Sequence, residues 1–330
     1  MQIAVIGGGS WGTALAHLLA EKDYTVRLLV RDAEQARAIN GEHRNPRYLA
    51  DLALHSGVYA TLDAAEALNQ CAFVLSAVPC QQTRLVLRGL RPLLGQGVVI
   101  VSASKGIEVS GLKTVGQMVQ EELAELSPRY AVLSGPSFAC EVVRRQPTAV
   151  VLGCADTVLG AELRATFSTS WFRTYSSTDV QGVELGGAVK NVIAIAAGMC
   201  DGMAFGHNAR AALITRGLAE MSRLGEALGA RPATFMGLSG LGDLVLTCTG
   251  DLSRNRQVGM RLGRGESLAT IQADMRMVAE GVKTTEAVHD LALRLGVELP
   301  ITAAMNGVLR EGMDPHHAVM ELMTRELREE

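Results

Sequence analysis

One lysine, Lys190, lies within the otherwise apolar helical stretch from Val183 to Gly198. Burial disfavours the charged form of a lysine and so prepares its amine to exchange a proton in general acid–base catalysis. We expect room for a flat cofactor and a small substrate beside this amine, because its helix face is smooth. At helical spacing that face carries Gly186, Gly187, Ala194 and Ala197. Spacing alone leaves a second interpretation open, in which Lys190 extends its ammonium to the helix edge as a surface residue.

Three glycines near the start of the chain, Gly7, Gly9 and Gly12, have the spacing G-x-G-x-x-G. They follow a predicted strand and precede a predicted helix, the context in which this motif binds the pyrophosphate of a dinucleotide. The first glycine allows a tight turn, the second lets a phosphate approach the backbone, and the third lets the helix pack closely on the strand. N–H groups at the start of the helix can then bind the phosphate charge. A structural glycine turn without a nucleotide is the alternative.

The second strand is predicted to end at Arg31-Asp32, where the adenosine ribose of such a nucleotide lies. A carboxylate at this place favours NAD, whereas an arginine accommodates the 2′-phosphate of NADP. We predict that Arg31 binds the 2′-phosphate and that Asp32 caps the next helix, with its carboxylate on backbone N–H groups. A solvated pair of side chains in a turn is the alternative.

Seven motifs, in order along the whole chain, resemble those of bacterial NAD(P)-dependent glycerol-3-phosphate dehydrogenases. They are Gly7–Ala16, Ser104–Glu108, Ser134–Ala139, Lys190-Asn191, Gly242–Leu244, Ser253–Arg256 and Glu280-Gly281. The resemblance implies reversible hydride transfer between NAD(P)H and dihydroxyacetone phosphate, which yields sn-glycerol 3-phosphate for phospholipid synthesis. It also implies NADP(H) or NAD(H) as the cofactor and no metal ion.

The resemblance further implies a role for individual positions. Lys190 corresponds to the residue that accepts the proton when glycerol phosphate is oxidised and donates it in the reverse direction. The implied cofactor-binding residues are Gly7, Gly9, Ser10, Trp11, Gly12, Arg31, Lys105, Ala139, Arg254, Val278 and Glu280. The implied substrate-binding residues are Lys105, Gly135, Ser137, Lys190, Asp243, Ser253, Arg254 and Asn255.

The chemistry of these residue types is compatible with such roles. Hydride addition leaves negative charge on the C2 oxygen of the substrate, and the cations of Lys190 and Lys105 can stabilise it. Ser253-Arg254-Asn255 offers a hydroxyl, a guanidinium and an amide to a phosphate dianion. Asp243 can orient the Lys190 ammonium or accept a hydrogen bond from a substrate hydroxyl. Without the resemblance, Asp243 can equally cap a helix, and Ser253-Arg254-Asn255 can form a solvated turn.

Hydrophobic periodicity predicts the elements that must position these residues. The first half alternates short β-branched runs with helical patterns, which predicts βαβ units and a parallel sheet buried on both faces. The predicted strands are Gln2–Ile6, Thr25–Val30, Ala72–Ala77, Val98–Val101, Ala131–Leu133 and Ala149–Gly153, with Trp171–Tyr175 as a further candidate. The predicted helices are Trp11–Lys22, Ala33–Asn40, Gln81–Leu90 and Gly111–Leu126.

Beyond about residue 180 the strand patterns stop and only helical ones continue. They cover Glu184–Cys200, Asn208–Leu228, Ser267–Met275, Thr285–Leu295 and Pro315–Thr324. We therefore predict an α/β Rossmann-type dinucleotide-binding domain with a parallel sheet over residues 1–180. An all-α domain over residues 181–330 is predicted to hold the substrate and the catalytic residue.

Composition excludes several other classes of protein. The 330 residues are 48% hydrophobic and carry a net charge of −3 without a basic run, which excludes a disordered chain and disfavours nucleic-acid binding. The chain start has no signal-peptide pattern, and the apolar stretch Ala188–Cys200 is judged too short to span a bilayer. Six well-separated cysteines are typical of reduced thiols in a cytosolic protein. We therefore expect a cytoplasmic protein with a small-molecule substrate and no stable membrane insertion. The sequence is also compatible with a homodimer.

Two other functions remain as alternatives. The first is an NAD(P)-dependent dehydrogenase of another small metabolite with the same two-domain plan, such as a 3-hydroxyacyl-CoA or 2-hydroxyacid enzyme. The second is a non-catalytic nucleotide sensor. The first class uses a histidine–carboxylate pair or a pocket without phosphate, and a sensor needs neither a buried lysine nor a Ser-Arg-Asn cluster. Lys190 and Arg254 therefore favour the glycerol-3-phosphate dehydrogenase interpretation over both.

Overall fold

The chain divides into two compact units. The computed structural model describes residues 1–275 and 279–325. The first unit comprises Met1–Lys105 and Thr114–Val183, and the second comprises Gly106–Lys113 and Glu184–Glu330. The loop Gly106–Lys113 thus lies with the second unit, although both segments that flank it in sequence belong to the first.

The first unit is an α/β structure. Its strands are β1 (Gln2–Ile6), β2 (Thr25–Leu29), β3 (Arg44–Asn45), β4 (Leu49–Ala53), β5 (Val58–Thr61), β6 (Phe73–Ser76), β7 (Val99–Ser102), β8 (Arg129–Ser134), β9 (Thr148–Cys154) and β10 (Phe172–Ser177). Its helices are α1 (Ser10–Ala20), α2 (Ala33–Glu42), α3 (Ala64–Leu68), α4 (Thr83–Leu90), α5 (Val115–Glu122), α6 (Ala139–Val143) and α7 (Thr157–Phe167).

Eight of these strands form one sheet in the order β10-β9-β8-β7-β6-β1-β2-β5. Six neighbouring strands of this sheet run parallel to one another, namely β8, β7, β6, β1, β2 and β5. Strand β9 pairs antiparallel with β8 and parallel with β10. Apolar side chains on β1, β6 and β7 are buried on both faces of the sheet, as strands covered by helices on both sides require. The predicted Rossmann-type architecture is therefore confirmed.

Several local features of the first unit differ from the sequence prediction, which did not include strand β5 or helices α3, α6 and α7. Strands β3 and β4 form a separate antiparallel hairpin that was not predicted. Helix α5 begins at Val115 and not at Gly111, because the Thr114 hydroxyl accepts from the Gln117 N–H and the Gln117 side chain accepts from the Thr114 N–H. This reciprocal capping box fixes the start of the helix four residues later than periodicity suggested.

In the described residues of the second unit every regular element is a helix, whereas the loop Gly106–Lys113 contains none. Its helices are α8 (Val180–Gly202, which begins in the first unit), α9 (His207–Ala227), α10 (Pro232–Phe235), α11 (Asp243–Thr249), α12 (Arg254–Gly263), α13 (Leu268–Asp274), α14 (Glu280–Leu295), α15 (Pro300–Arg310) and α16 (Pro315–Met323). A π-helical turn at Leu238–Gly242 leads into α11. The core of the unit is built around α8, where Val189, Val192 and Ile193 are completely buried.

Helix α8 corrects the prediction about membrane spanning. It has 23 residues, which span about 35 Å at the helical rise, so the apolar stretch is not too short to cross a bilayer. Its most apolar window is nevertheless 100% buried inside the protein, as in the core helix of a soluble domain. Burial, and not length, is the observation that argues against a membrane span.

Candidate active site

The glycine loop between β1 and α1 shows which of its glycines the fold itself requires. Gly7 has a φ of +111°, and a Cβ there would lie 2.8 Å from the Ala77 carbonyl oxygen. A Cβ at Gly12 would collide with the carbonyl oxygen of Gly7. A Cβ at Gly9, by contrast, would meet no protein atom within 4 Å. The backbone at Gly9 therefore faces open space, which suits the close approach of a pyrophosphate.

The start of α1 is suited to bind an anion. No side chain caps its N-terminus at Gly9, and its first turn contains no acidic residue. The indole Nε1 of Trp11 is buried without a hydrogen-bond partner among the described residues, so a bound nucleotide can supply the missing acceptor. These observations fit the phosphate groups and hydrogen-bond acceptors of NAD(P).

A buried polar network that the sequence did not indicate anchors the same loop. The carbonyl oxygen of Gly8 accepts hydrogen bonds from the side-chain amides of Gln35 and Asn45. Asn45 also donates to the hydroxyl of Thr13 on α1, at 2.8 Å. Asn45 lies on the unpredicted strand β3 and is completely buried. The hairpin thus holds the middle of the nucleotide loop in place.

At the end of β2, the structure separates the two residues that bear on the choice of cofactor. The Asp32 carboxylate accepts from the backbone N–H groups of Glu34 at 2.8 Å and Gln35 at 3.4 Å, so the predicted helix cap is confirmed. These backbone hydrogen bonds hold the pKa of Asp32 below its usual value, and Arg47, 3.2 Å from the carboxylate, adds to the effect. Arg31, directly before it, has an exposed side chain. The carboxylate is therefore occupied, while the guanidinium lies at the surface.

Lys105, Gly135 and Ser137 lie together at the sheet edge. The Lys105 ammonium donates to the Gly135 carbonyl oxygen at 3.3 Å, and the Ser137 hydroxyl donates to the same oxygen at 2.9 Å. Lys105 follows the end of β7 and Gly135 follows the end of β8, and both strands run parallel to β1. The carboxyl ends of parallel strands meet at one edge of a sheet. These residues therefore belong to the same edge as the glycine loop.

Lys190 is buried and held by two partners on α11. Its ammonium lies 2.6 Å from a carboxylate oxygen of Asp243 and 2.7 Å from the hydroxyl oxygen of Thr247. Lys190 is 6% exposed and Asp243 is 1% exposed, which excludes the interpretation of Lys190 as a surface residue. The carboxylate stabilises the charged ammonium against the cost of burial. Thr247, which sequence reasoning missed, fixes this pair by hydrogen bonding to both partners.

The small residues beside Lys190 serve a different purpose from the predicted one. A Cβ at Gly186 would collide with the carbonyl oxygen of Ser239, so Gly186 allows α8 to pack against the π-helical turn. Ala194 and Ala197 are also completely buried. The expectation that this face is a smooth open surface is therefore wrong at these positions, because the protein's own elements cover it.

The predicted phosphate cluster lies at the start of α12. Ser253 is the N-cap of this helix, and its hydroxyl accepts from the Arg256 N–H at 3.2 Å. Arg254 is the first helical residue and is exposed. The Asn255 amide oxygen accepts from the Gly281 N–H at 3.0 Å, at the beginning of α14. The structure thus brings the Ser253–Asn255 motif next to the Glu280-Gly281 motif.

Four of the predicted cofactor-binding residues each begin a different helix. Each is the first residue of a helix, namely Ser10 of α1, Ala139 of α6, Arg254 of α12 and Glu280 of α14. Val278, another predicted cofactor-binding residue, lies outside the described residues. In residues 1–275 and 279–325, no group of three His, Cys, Asp or Glu side chains is arranged to hold a metal ion.

Comparison with known proteins places this geometry in a family context. The family model for the NAD-dependent glycerol-3-phosphate dehydrogenase N-terminus matches residues 2–159, and the model for the C-terminus of the same enzyme matches residues 179–320. A glycerol-3-phosphate dehydrogenase (NAD(P)+) of Nitratidesulfovibrio vulgaris (strain DP4) is 71% identical over 330 residues, with 100% of both chains covered. The corresponding protein of Oleidesulfovibrio alaskensis is 67% identical, again over 100% of both chains.

A solved structure agrees with the sequence comparison. The crystal structure of glycerol-3-phosphate dehydrogenase from Coxiella burnetii superposes with a TM-score of 0.94 at 40% identity. The match covers 98% of this chain and 99% of the Coxiella chain. Sequence and fold therefore agree over nearly the whole length.

Proposed function

The chain belongs to the NAD-dependent glycerol-3-phosphate dehydrogenase family, and on that premise we propose how its own residues carry out the family's reaction. It is an oxidoreductase that interconverts dihydroxyacetone phosphate and sn-glycerol 3-phosphate with NAD(P)H, a reaction that supplies glycerol phosphate for phospholipid synthesis. The observation that carries the proposed mechanism is the buried ion pair of Lys190 and Asp243, joined by Thr247.

In this proposal Lys190 is the proton donor and acceptor at the C2 oxygen of the substrate. When bound, the reduced nicotinamide supplies a hydride to the C2 carbon. The ammonium of Lys190 stabilises the negative charge that develops on the C2 oxygen and then gives it a proton. Asp243 and Thr247 hold the ammonium in one orientation, so little reorganisation is needed at the moment of transfer. In the reverse direction the neutral amine takes the proton back.

The remaining site residues bind and orient the two ligands. The open backbone at Gly9 and the uncapped start of α1 support binding of the nucleotide pyrophosphate. Glu280 and Val278 are proposed as further cofactor contacts, and Lys105 is proposed to touch both ligands. Ser137 and Gly135 are proposed to bind the substrate. The buried hydroxyls of Ser104 and Ser134, which have no hydrogen-bond partner among the described residues, leave donors for a ligand at this sheet edge.

Replacing Arg254 by alanine is expected to weaken binding of the substrate phosphate. Loss of a hydrogen bond to a charged group costs about 1.5–3 kcal/mol, which corresponds to about a 10- to 150-fold rise in KM for dihydroxyacetone phosphate. The KM of the cofactor should change far less. Steady-state kinetics with dihydroxyacetone phosphate and with unphosphorylated dihydroxyacetone separate the two effects, since only the phosphorylated substrate should lose affinity.

Arg264→Ala is the matched control for this test, because Arg264 is an exposed arginine at the other end of α12. The control should keep the wild-type KM for dihydroxyacetone phosphate. An unchanged KM in the Arg254→Ala variant would show that the phosphate is held elsewhere.

Replacing Arg31 by alanine is expected to weaken the binding of NADPH by about 1.5–3 kcal/mol while changing the binding of NADH little. The guanidinium is proposed to bind the 2′-phosphate, which NADH lacks, whereas the Asp32 carboxylate is occupied by the start of α2. The wild-type protein should accordingly use NADPH at least as well as NADH. The ratio of kcat/KM for the two cofactors, measured before and after the substitution, tests this proposal.

Arg37→Ala is a suitable control for the cofactor test, since Arg37 is an exposed arginine on α2, the helix that follows Arg31 in the chain. Equal losses for NADH and NADPH in the Arg31→Ala variant would contradict the proposed 2′-phosphate contact.

The charge and the burial of α8 also bear on the partners and the location of the protein. We propose a cytoplasmic enzyme without a nucleic-acid or membrane partner, supported by the net charge of −3 and by the buried α8. A homodimer is the oligomeric state to test first, by light scattering of the purified protein.

A further inference from the structure

Arg256 is a buried arginine two residues after Arg254 that the proposed mechanism does not use. It is 8% exposed. Its Nε and Nη2 lie 2.9 and 2.8 Å from one carboxylate oxygen of Asp201, and its Nη1 lies 2.8 Å from a carboxylate oxygen of Asp251. Three nitrogens of one guanidinium are thus engaged by two carboxylates, a geometry that only the planar fork of arginine provides.

The two carboxylates belong to the two segments that carry the proposed chemistry. Asp201 is near the C-terminal end of α8, the helix that holds Lys190. Asp251 lies in the loop directly before the Ser253–Asn255 motif. Asp201 is held from a second side by Arg210, whose guanidinium lies 2.9 Å from its other carboxylate oxygen. Arg256 therefore connects the loop that leads into the substrate-phosphate residues to the helix of the acid–base residue.

Helices α8 and α12 also touch through their backbones. A Cβ at Gly198 of α8 would collide with the carbonyl oxygen of Arg256, and a Cβ at Gly259 of α12 would collide with the carbonyl oxygen of Ile195. Such an approach without intervening side chains leaves little freedom for one helix to shift against the other. The backbone contact fixes the body of α12, and the guanidinium of Arg256 extends the attachment to the loop at Asp251.

We propose that Arg256 is a positioning residue that holds Ser253-Arg254-Asn255 at a fixed distance from Lys190, so that the phosphate and the C2 oxygen of one substrate molecule are bound together. This inference rests on the proposed function. A contribution to folding stability explains the cluster less well, because replacing all members of a buried ion-pair cluster by apolar residues is often neutral or stabilising. Asp251 is also 96% exposed, and an ion pair with an exposed carboxylate contributes little to folding.

The test compares Arg256→Met, Arg256→Lys and the control Arg261→Ala. Arg261 lies on the same helix and is also paired with two carboxylates, those of Glu266 and Asp274, but it lies near the far end of α12. The measurements are KM for dihydroxyacetone phosphate, the inhibition constant of inorganic phosphate, Kd for NADPH and the melting temperature. In Arg256→Met, the KM should rise at least about 10-fold, because misplaced binding groups lose much of their effect.

The inhibition constant of phosphate should rise in parallel, and by more than Kd for NADPH, because only Arg254 of the displaced motif is also a predicted cofactor contact. Arg256→Lys should recover only part of the loss, because an ammonium cannot engage both carboxylates in the same way. Arg261→Ala should keep both constants at wild-type values. If Arg256→Met does not fold, Asp251→Ala provides the same test, since it removes only the contact between Arg256 and the exposed Asp251 carboxylate and should raise both constants in the same direction.

Wild-type substrate and phosphate constants in Arg256→Met, or in Asp251→Ala should Arg256→Met not fold, would overturn the proposal and leave Arg256 with a structural role. A rise of KM in Arg254→Ala without a rise in Arg256→Met would refute only this inference. An unchanged KM in Arg254→Ala would instead refute the proposed phosphate site.

Discussion

Replacing Lys190 by alanine is expected to lower kcat by at least about 100-fold, the low end of the effect of a positioned acid–base group. The variant loses both the proton donor and the cation beside the C2 oxygen. Its Kd for NADPH should stay close to the wild-type value, because the glycine loop and Arg31 are unaffected. Steady-state kinetics at saturating dihydroxyacetone phosphate, together with a direct measurement of NADPH binding, test this expectation.

Lys190→Arg separates proton transfer from the structural ion pair. A guanidinium can still pair with Asp243, but it stays protonated at any working pH and cannot give up its proton. The arginine variant should therefore melt close to the wild-type temperature and still lose most of kcat. Either variant, if it kept more than a third of wild-type kcat at saturating substrate, would contradict the role of Lys190.

Replacing Asp243 by alanine is expected to lower the free energy of unfolding by about 3–5 kcal/mol, since it leaves a buried ammonium without its counter-charge. The pair lies 2.6 Å apart, with side chains that are 7% and 2% exposed, so solvent screens it little. The same variant should lose activity, because the orientation of Lys190 depends on this carboxylate. Urea unfolding followed by circular dichroism gives the change in stability.

A double substitution distinguishes the energetic role of the pair from its catalytic role. Lys190→Met combined with Asp243→Leu removes both charges and should recover most of the lost stability, because an apolar pair has no desolvation cost. It should recover none of the activity. A double variant as unstable as Asp243→Ala would show that packing, and not the unpaired charge, causes the destabilisation.

The features that could be predicted from the sequence are those with a strong local signal. The glycine loop was found because Gly7, Gly9 and Gly12 fall directly between a β-branched run and a helical pattern. The Asp32 cap was found because it depends only on the next three residues. The predicted sheet was found because each of its central strands is a continuous apolar run.

The features that were missed depend on contacts between distant segments. Thr247 bonds to Lys190 across a separation of 57 residues, and no local pattern marks a threonine for that role. Asn45 reaches the glycine loop from β3, a strand of only two residues. The antiparallel direction of β9 escaped prediction because its apolar run looks the same whichever way the strand points. Gly186 was misinterpreted because sequence does not show which element covers a helix face.

The central claim is that this chain reduces dihydroxyacetone phosphate with NAD(P)H. Its most direct test is the steady-state rate of the purified wild-type protein with dihydroxyacetone phosphate, measured with NADPH and NADH in parallel, with identification of the product. We predict turnover with both cofactors, a kcat/KM for NADPH at least equal to that for NADH, and sn-glycerol 3-phosphate formed in equal amount to the cofactor oxidised. Tight binding of NADPH without any oxidation in the presence of dihydroxyacetone phosphate would contradict the account and indicate a nucleotide sensor instead.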